Sequence, residues 1–304
     1  MELFSIYTPV SVTDGTERLY GRLSRELESV HNLHSLPDTL QIKVETLSKF
    51  TVITCHSTSL TLSIERYLPA MYEKTAEILA DYIINEFEMK LIRELIYKHD
   101  EFKPKDEIDA VEQYCRQFLN DDPFTFRSEK ISEALARYLE ESPTINLDGF
   151  IRFRLEAYLD ELKEVVEYAV DEFLMDKQYQ EFIALLKYLV YMQEAKIPLA
   201  HLVHKGNQFQ LLNEQMKPFD LKSAGDATVL EKMDRDMGEE DLIVSTLITI
   251  SPQRLYIHTR DPEAQVIHTI QQIFEGRTTL CAYCHQCQPI IDTERKLDKY
   301  LLDR

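Results

Sequence analysis

The hydrophobic pattern of the first 67 residues predicts a small unit of strands and one helix. Residues 3–8 form a short apolar run, and apolar residues around Leu23 then recur at helical spacing. Residues 42–45 and 51–55 are rich in β-branched side chains, as strands are. We therefore expect the element order β-α-β-β in this segment.

From residue 68 to residue 198 the periodicity is helical, and this middle segment is predicted to be all-helical. One long helix is predicted over residues 149–175, where the apolar positions step alternately by four and three. This apolar seam comprises Leu155, Leu159, Leu162, Val166, Ala169 and Phe173. A seam shorter than three heptads does not predict a coiled coil, so we expect it to be internal core.

The C-terminal third returns to a strand-rich pattern. Residues 199–204 and 209–212 flank the turn sequence Lys-Gly-Asn-Gln and predict a hairpin. Residues 242–250 and 254–258 are also β-rich and predict two further strands. A helix and a last short strand are then expected to lead the chain into Cys281.

Two polar segments complete the pattern. Residues 220–240 are predicted to be a mobile loop that proteases cut first, and residues 292–304 are predicted to be a charged helix. The predicted fold class is α+β with three domains. These are an N-terminal α+β unit (1–67), a helical middle (68–198) and a C-terminal strand-rich α+β unit that ends in a cysteine cluster (199–304).

The charge of the chain argues against several classes of partner. With 34 basic and 53 acidic residues the net charge is −19, and residues 68–200 carry most of the excess. Such a surface repels the phosphates of nucleic acids and of anionic membranes. We therefore expect neither a nucleic-acid partner nor membrane attachment, and we expect a protein partner instead.

Other sequence features indicate the cellular compartment and exclude several classes of enzyme. The longest apolar run, residues 182–192, contains Lys187 and is too short to span a membrane, and the N-terminus lacks a signal-peptide pattern. Five cysteines in such a chain do not form a disulfide framework, so the predicted compartment is the cytoplasm. Glycine-rich nucleotide loops, the Gly-x-Ser-x-Gly hydrolase motif and the His-Glu-x-x-His metalloprotease motif are absent from the sequence.

The strongest chemical signal is a group of three cysteines, Cys281, Cys284 and Cys287. Thiolates three residues apart in a tight turn can converge on one ion, and zinc is favoured because a fourth cysteine at iron–sulfur spacing is absent. Inert thiols, redox-active thiols and an iron–sulfur cluster with a ligand from outside the group are the alternative interpretations. Five sources are candidates for a fourth metal ligand: His285, His258, His268, Cys55 and a second subunit.

Two histidine pairs and one arginine pair have simpler interpretations. On a strand, His201 and His204 would point to opposite faces, so they cannot share a metal, and we expect one half-buried and one solvated ring. His258 and His268 are interpreted mainly as structural histidines. Two arginines, 152 and 154, fall in the first turns of the predicted long helix, and we expect carboxylates to pair with them.

Two sets of sequence blocks carry a family resemblance. The first set is residues 150–158, 170–174 and 181–186, and the second is residues 242–252, 257–258, 269–270 and 281–287. Together they resemble the YtxC-like sporulation proteins of endospore-forming bacteria, most clearly over residues 149–287. The resemblance implies an association with sporulation and residence in the cytoplasm. It implies no activity and no site residue.

Two functional hypotheses follow from the sequence. The first is a nonenzymatic interaction or regulatory protein used during sporulation. The second is a metal- or redox-dependent enzyme that uses the cysteine cluster, which predicts a cleft of convergent polar groups beside Cys284. A third hypothesis is a zinc-knuckle protein that binds nucleic acid. The net charge of −19 disfavours it, because an acidic protein repels phosphates.

Overall fold

In the computed structural model, the strands near the two ends of the chain belong to two separate four-stranded sheets. The structure describes residues 1–10, 13–33, 40–57, 63–99, 104–121, 124–206, 208–219 and 238–291. The predicted loop over 220–240 lies, except for its last three residues, outside the described residues, as does the predicted helix over 292–304. The chain forms two compact units, Met1–Met175 and Asp176–Arg304.

The first unit contains four strands and most of the helices. Its elements are β1 (Glu2–Pro9), α1 (Thr13–Leu33), β2 (Leu40–Thr46), β3 (Phe50–Ser57), α2 (Ser63–Glu86), α3 (Glu88–Tyr97), α4 (Lys105–Asp121), α5 (Phe124–Glu141), β4 (Thr144–Asn146), α6 (Leu147–Arg154) and the first part of α7 (Glu156–Met192). The predicted β-α-β-β order is confirmed by β1, α1, β2 and β3.

The first sheet has the strand order β2-β3-β1-β4. Strand β3 is antiparallel to both of its neighbours, and β4 pairs in parallel with β1, matching Ile145 to Ile6. Strand β4 lies in the segment that was predicted to be all-helical, so that prediction is wrong at this point. Three residues are too few for a strand periodicity to appear in the sequence.

One hydrophobic core joins the sheet of the first unit to its helices. Ile6 and Ile53 of the sheet share this core with Leu79 of α2 and Leu162 of α7. The predicted seam is confirmed as internal, because four of its six residues are buried and the other two are partly buried against the same core. The three-domain division stays a prediction, since a shared core does not test which segments fold independently.

The long helix is divided differently from the prediction. Leu155 ends α6 with a non-helical backbone, and α7 then continues without a break to Met192. Arg152 therefore lies in the last turn of α6, where the helix dipole favours a cation. Its guanidinium bonds Asp148 at 3.1 Å and Glu94 at 3.3 Å. The expected carboxylate partners are confirmed for Arg152, whereas Arg154 lies over the ring of Tyr138. The expected position of both arginines in a first helical turn is wrong.

The second unit contains the end of α7 and a second sheet. Its remaining elements are β5 (Ile197–Lys205), β6 (Gln208–Leu212), α8 (Glu239–Ile250), β7 (Pro252–Thr259), α9 (Gln265–Ile273), β8 (Thr278–Cys281) and the short α10 (Gln288–Ile291). The strand order is β6-β5-β7-β8. Strands β5 and β6 form the predicted antiparallel hairpin, and β5, β7 and β8 run parallel.

The strand predicted over residues 242–250 is wrong, because this segment is helix α8. Ile243, Leu247 and Ile250 are buried at helical spacing. Parallel strands need a crossover connection, and α8 leads the chain into β7, which pairs in parallel with β5. The β-branched composition of the segment indicated a strand, but tertiary packing of one apolar face outweighs that weak propensity.

Within the described ranges, no helix has both the length and the apolar character that a transmembrane segment needs.

Candidate metal centre

Two neighbouring strands bring His258 and Cys281 together. His258 lies near the end of β7, and Cys281 is the last residue of β8, which is parallel to β7. The two residues are register partners in this pairing. On its other side, His258 is the register partner of Val203 in β5. The sheet therefore places one histidine and the first of the three cysteines at the same end of adjacent strands.

The turn that follows β8 places the other two thiols. The backbone N–H of Cys284 donates to Sγ of Cys287 at 3.2 Å, and the N–H of Gln288 donates to the carbonyl oxygen of Cys284 at 3.0 Å. Cys287 is fully buried against Val203 and Leu212, whereas Cys281 and Cys284 are half-buried. The turn thus folds back on the sheet and directs its sulfur atoms toward His258.

The four side chains offer a compact set of ligand atoms. Sγ of Cys284 lies 3.5 Å from Sγ of Cys287 and 3.8 Å from Nδ1 of His258. The ligand atoms of His258, Cys281, Cys284 and Cys287 all lie within 4.8 Å of one another. A tetrahedral ion with metal–sulfur bonds of about 2.3 Å separates its sulfur atoms by roughly 3.8 Å. The four side chains therefore lie close enough to hold a metal ion.

The ring nitrogen of His258 that faces away from the thiols contacts a second histidine. Its Nε2 lies 3.0 Å from Nδ1 of His201, and the two buried rings are stacked. His201 also stacks on Tyr256. If Nε2 of His258 carries the proton and donates it to His201, Nδ1 keeps a lone pair that faces the thiols. This tautomer is the one that a metal ligand requires.

The surroundings of the three thiols shift their pKa values in different directions. Burial, and then the neighbouring Cys284, raise the pKa of Cys281 to about 11. Burial also raises the pKa of Cys287. Burial opposes ionisation of Cys284 too, but hydrogen bonds from the backbone N–H groups of Cys287 and Gln286 lower its pKa overall. Cys284 is therefore the first of the three to become a thiolate.

Burial also affects the two histidines. It lowers the pKa of His201, and burial together with repulsion from His201 lowers the pKa of His258. Both rings are consequently neutral near pH 7, where a metal ligand must have an unprotonated nitrogen.

The structure brings the three predicted cysteines together, and their role as ligands stays a prediction. Among the candidates for a fourth ligand, His258 lies with them. His268 is exposed and pairs with Glu263, His285 is exposed outside the group, and Cys55 is buried in the core of the first unit.

The sequence interpretation of the histidines needs one correction. His201 and His204 are both buried, so the expectation of one solvated ring is wrong. His204 contacts Thr259, with Nδ1 at 2.9 Å from the hydroxyl oxygen. The contact between His201 and His258 was missed, because their pairing across β5 and β7 depends on strand order, which no local sequence signal reveals.

A cavity of about 740 Å³ lies in the same unit. Its lining is largely apolar, with Phe209, Leu211 and Phe219 among the contributors and Lys205 and Glu239 as charged members. None of the four candidate metal ligands, His258, Cys281, Cys284 and Cys287, lines this cavity. This cavity therefore does not supply the cleft beside Cys284 that the enzyme hypothesis predicts.

Comparisons with known proteins give a family but no activity. No solved structure matches the chain. The uncharacterized protein YtxC of Bacillus subtilis (strain 168) is 28% identical over 160 residues, which cover 51% of this chain and 54% of that protein. The match thus spans about half the length of this curated relative. The profile of the YtxC-like family matches residues 73–279, a range that includes His258 and ends before Cys281. Because this range is more than half of the sequence, the chain belongs to the YtxC-like family.

Proposed function

We propose that the protein is a nonenzymatic interaction or regulatory protein used during sporulation, and that a zinc ion stabilises its second unit. The ligands of the ion are His258, Cys281, Cys284 and Cys287. The observation that carries the metal assignment is the convergence of these four ligand atoms within 4.8 Å.

Zinc suits the ligand set and its spacing better than other metals. One imidazole and three thiolates are a usual tetrahedral zinc set, and soft thiolates disfavour magnesium, calcium and manganese. A four-iron cluster binds each of its four protein ligands to a different iron and so holds them further apart than a single ion does. Four protein ligands also leave no open position, as in structural zinc sites and unlike catalytic ones.

Several observations support the biological part of the proposal. The sequence blocks that resemble YtxC-like sporulation proteins support a role in sporulation. The net charge of −19 supports a protein partner over a nucleic acid. Free cysteines at all five positions support residence in the reducing cytoplasm.

Elemental analysis of the full chain, purified without chelator and without nickel affinity, tests the metal assignment. We expect about one zinc per chain in the wild type. His258→Gln and Cys284→Ser should lose most of it, because each removes one ligand. His268→Gln is the matched control, since this exposed histidine lies in the same unit outside the group, and it should keep the metal. A metal-free wild type, or a His258→Gln variant that keeps all of its zinc, contradicts the assignment.

The role in sporulation needs a separate test. We expect a spore-forming host without the gene to give fewer heat-resistant spores, and the wild-type gene to restore the yield. A normal spore yield after deletion contradicts this role and leaves the metal assignment standing. If a gene that encodes Cys284→Ser restores the spore yield, the role in sporulation does not require the metal.

A redox-dependent enzyme is the second candidate, and the 3.5 Å separation between Sγ of Cys284 and Sγ of Cys287 favours it. These two thiols could form one S–S bond while passing two protons and two electrons to an oxidant such as another disulfide. Thiol counting in dithiothreitol redox buffers distinguishes the candidates. Metal-free protein with two reversibly oxidised thiols supports the enzyme, and zinc-loaded protein with inert thiols contradicts it.

A further inference from the structure

The part of α7 that belongs to the second unit carries an apolar stripe on its exposed side. The stripe consists of Phe182, Leu185, Leu189 and Met192, which are between 43% and 63% exposed. Another side of the same helix is covered, since Ile183 and Val190 are buried in the core of the unit. Exposed apolar residues that gather on one helix face mark an interaction surface.

We propose that the α7 stripe is the surface through which two copies of this chain associate, with the two helices antiparallel. The stripe steps by three, four and three residues, which is the 3.5-residue spacing that allows two helices to interlock. The proposal goes beyond the proposed function and does not depend on metal binding.

The stripe is complementary to itself under a two-fold rotation. With the axis at position 187, Phe182 of one copy faces Met192 of the other, and Leu185 faces Leu189. Each contact occurs twice, as an isologous interface requires. Every member of the stripe thus meets an apolar side chain of similar size, and no polar group in it is buried without a partner.

Charge also favours a second copy at this surface. Within residues 181–193 only Glu181 and Lys187 are charged, although the whole chain carries −19. Lys187 is ion-paired with Glu275 and lies on the far side of the helix from the stripe. Within α7 the two-fold axis therefore brings no like charges together across the stripe. Glu240 and Asp241, which line a groove together with Phe182 and Leu189, add to the repulsion between copies, and salt screens this repulsion.

The exposed area reaches what a weak dimer needs. Together with Tyr188, the stripe presents roughly 600 Å² per copy, so a symmetric pair that buries all of this area removes at most roughly 1,200 Å² from solvent. Specific interfaces bury about 1,200–2,000 Å² in total. The contact lies at the lower end of that range, so we expect a dimer that dissociates on dilution.

Sedimentation of the full chain tests the proposal. We expect a particle of twice the 35.7 kDa chain mass at about 100 µM, and dissociation toward about 1 µM. Leu185→Glu should weaken association by about tenfold or more, because a carboxylate would enter the apolar contact. The matched control is Tyr191→Glu on the same helix, whose 78% exposed side chain lies off the stripe, and it should still dimerise.

Mixing two variants tests the antiparallel register. Leu185→Glu and Leu189→Lys should each be monomeric, with helix content checked by circular dichroism. Their mixture should form a heterodimer, because the carboxylate at position 185 of one copy then faces the ammonium at position 189 of the other. No association on mixing, or dimerisation of Leu185→Glu by itself as tightly as the wild type, overturns the proposed register and contact.

The dependence of association on salt concentration distinguishes a second copy of this chain from a basic partner. Glu240 and Asp241 line an adjoining groove of about 560 Å³ and could attract a basic helix. Self-association should strengthen when the salt concentration rises from about 0.05 M to about 0.5 M, because the repulsion between two acidic chains is screened. A wild type that stays monomeric throughout overturns the proposal. A monomer that binds a synthetic basic amphipathic peptide more weakly at high salt assigns the surface to a basic partner instead.

Discussion

Nδ1 of His201 lies 3.0 Å from Nε2 of His258, and both rings are buried. Strand pairing fixes this contact, because His201 is the register partner of Tyr256 on β7, two residues before His258. A histidine that binds a metal through one ring nitrogen usually has its other nitrogen held by a hydrogen-bond acceptor. His201 is in the position of such a positioning residue for His258.

We therefore predict that His201→Phe weakens metal binding without abolishing it. The phenyl ring keeps the stacking but cannot accept the hydrogen bond that orients His258. Loss of such an outer contact typically costs 10- to 100-fold in metal affinity. Competition with a chromophoric zinc chelator measures the affinity. His204→Phe is the control, because His204 contacts Thr259 and not His258. Equal affinities for wild type and His201→Phe would refute the positioning role.

A second prediction concerns pH in the metal-free protein. The pKa values of His201 and His258 lie below the ordinary value near 6.5, chiefly because both rings are buried. Below about pH 6.5 the unfolded chain therefore binds more protons than the folded chain. Stability is complete above this pH and falls as the pH drops through the lowered folded values.

Hydrogen exchange of the β5 and β7 amides at pH 7.5 and 5.5, corrected for the intrinsic exchange rate, measures this loss. The free energy of opening should fall with acidification in the wild type and fall less in His201→Phe, which removes one of the two titrating rings. His268→Gln should behave like the wild type. An opening free energy that is equal at both pH values would show that the buried rings do not drive acid sensitivity.

The sequence identified the three cysteines and offered His258 as one of five candidates for a fourth ligand, but it did not single this histidine out. Their spacing is local, so a turn can be inferred from it directly. His258 lies 23 residues before Cys281, and only the parallel pairing of β7 with β8 makes them register partners. Strand order depends on the packing of the whole unit, and a single sequence carries no direct signal for it.

The two apolar faces of α7 also show that a single sequence does not reveal tertiary packing. The seam around Leu162 and the α7 stripe around Leu185 have similar heptad-like spacing. The structure buries the first and leaves the second exposed. Periodicity thus predicted helical structure and the buried seam, whereas the exposure of the α7 stripe depends on tertiary packing. The strand predicted in place of α8 failed for a related reason, since a β-rich run of nine residues fits either element.

The third prediction uses the buried seam. Leu162 is 1% exposed in the core that joins the first sheet to its helices. Leu162→Asp would place a carboxylate there without a partner, so we expect the variant to lose its fold and not merely to dissociate. Circular dichroism and sedimentation of the purified variant measure both properties. A folded, soluble Leu162→Asp monomer would show that the seam is not core.

The last prediction concerns where the metal contributes stability. An ion that binds only the folded state stabilises the unit that holds its ligands. Chelation, or Cys284→Ser, should therefore lower the melting temperature and increase hydrogen exchange in β7, β8 and the turn over 281–287. Exchange in β1 and β3 of the first unit should change little. Weaker zinc binding at acidic pH should accompany this, because protons compete for the thiolates.

Cys115 provides the contrasting variant, because it lies in the first unit. Its thiol is fully buried in the first core, and burial raises its pKa to about 12, so it serves there as an apolar side chain. Cys115→Ser should therefore keep the zinc while lowering the stability of the first unit by about 1–3 kcal/mol, the cost of burying an unpaired hydroxyl. Loss of zinc from Cys115→Ser, or a Cys284→Ser variant that loosens both units equally, would contradict a metal centre confined to the second unit.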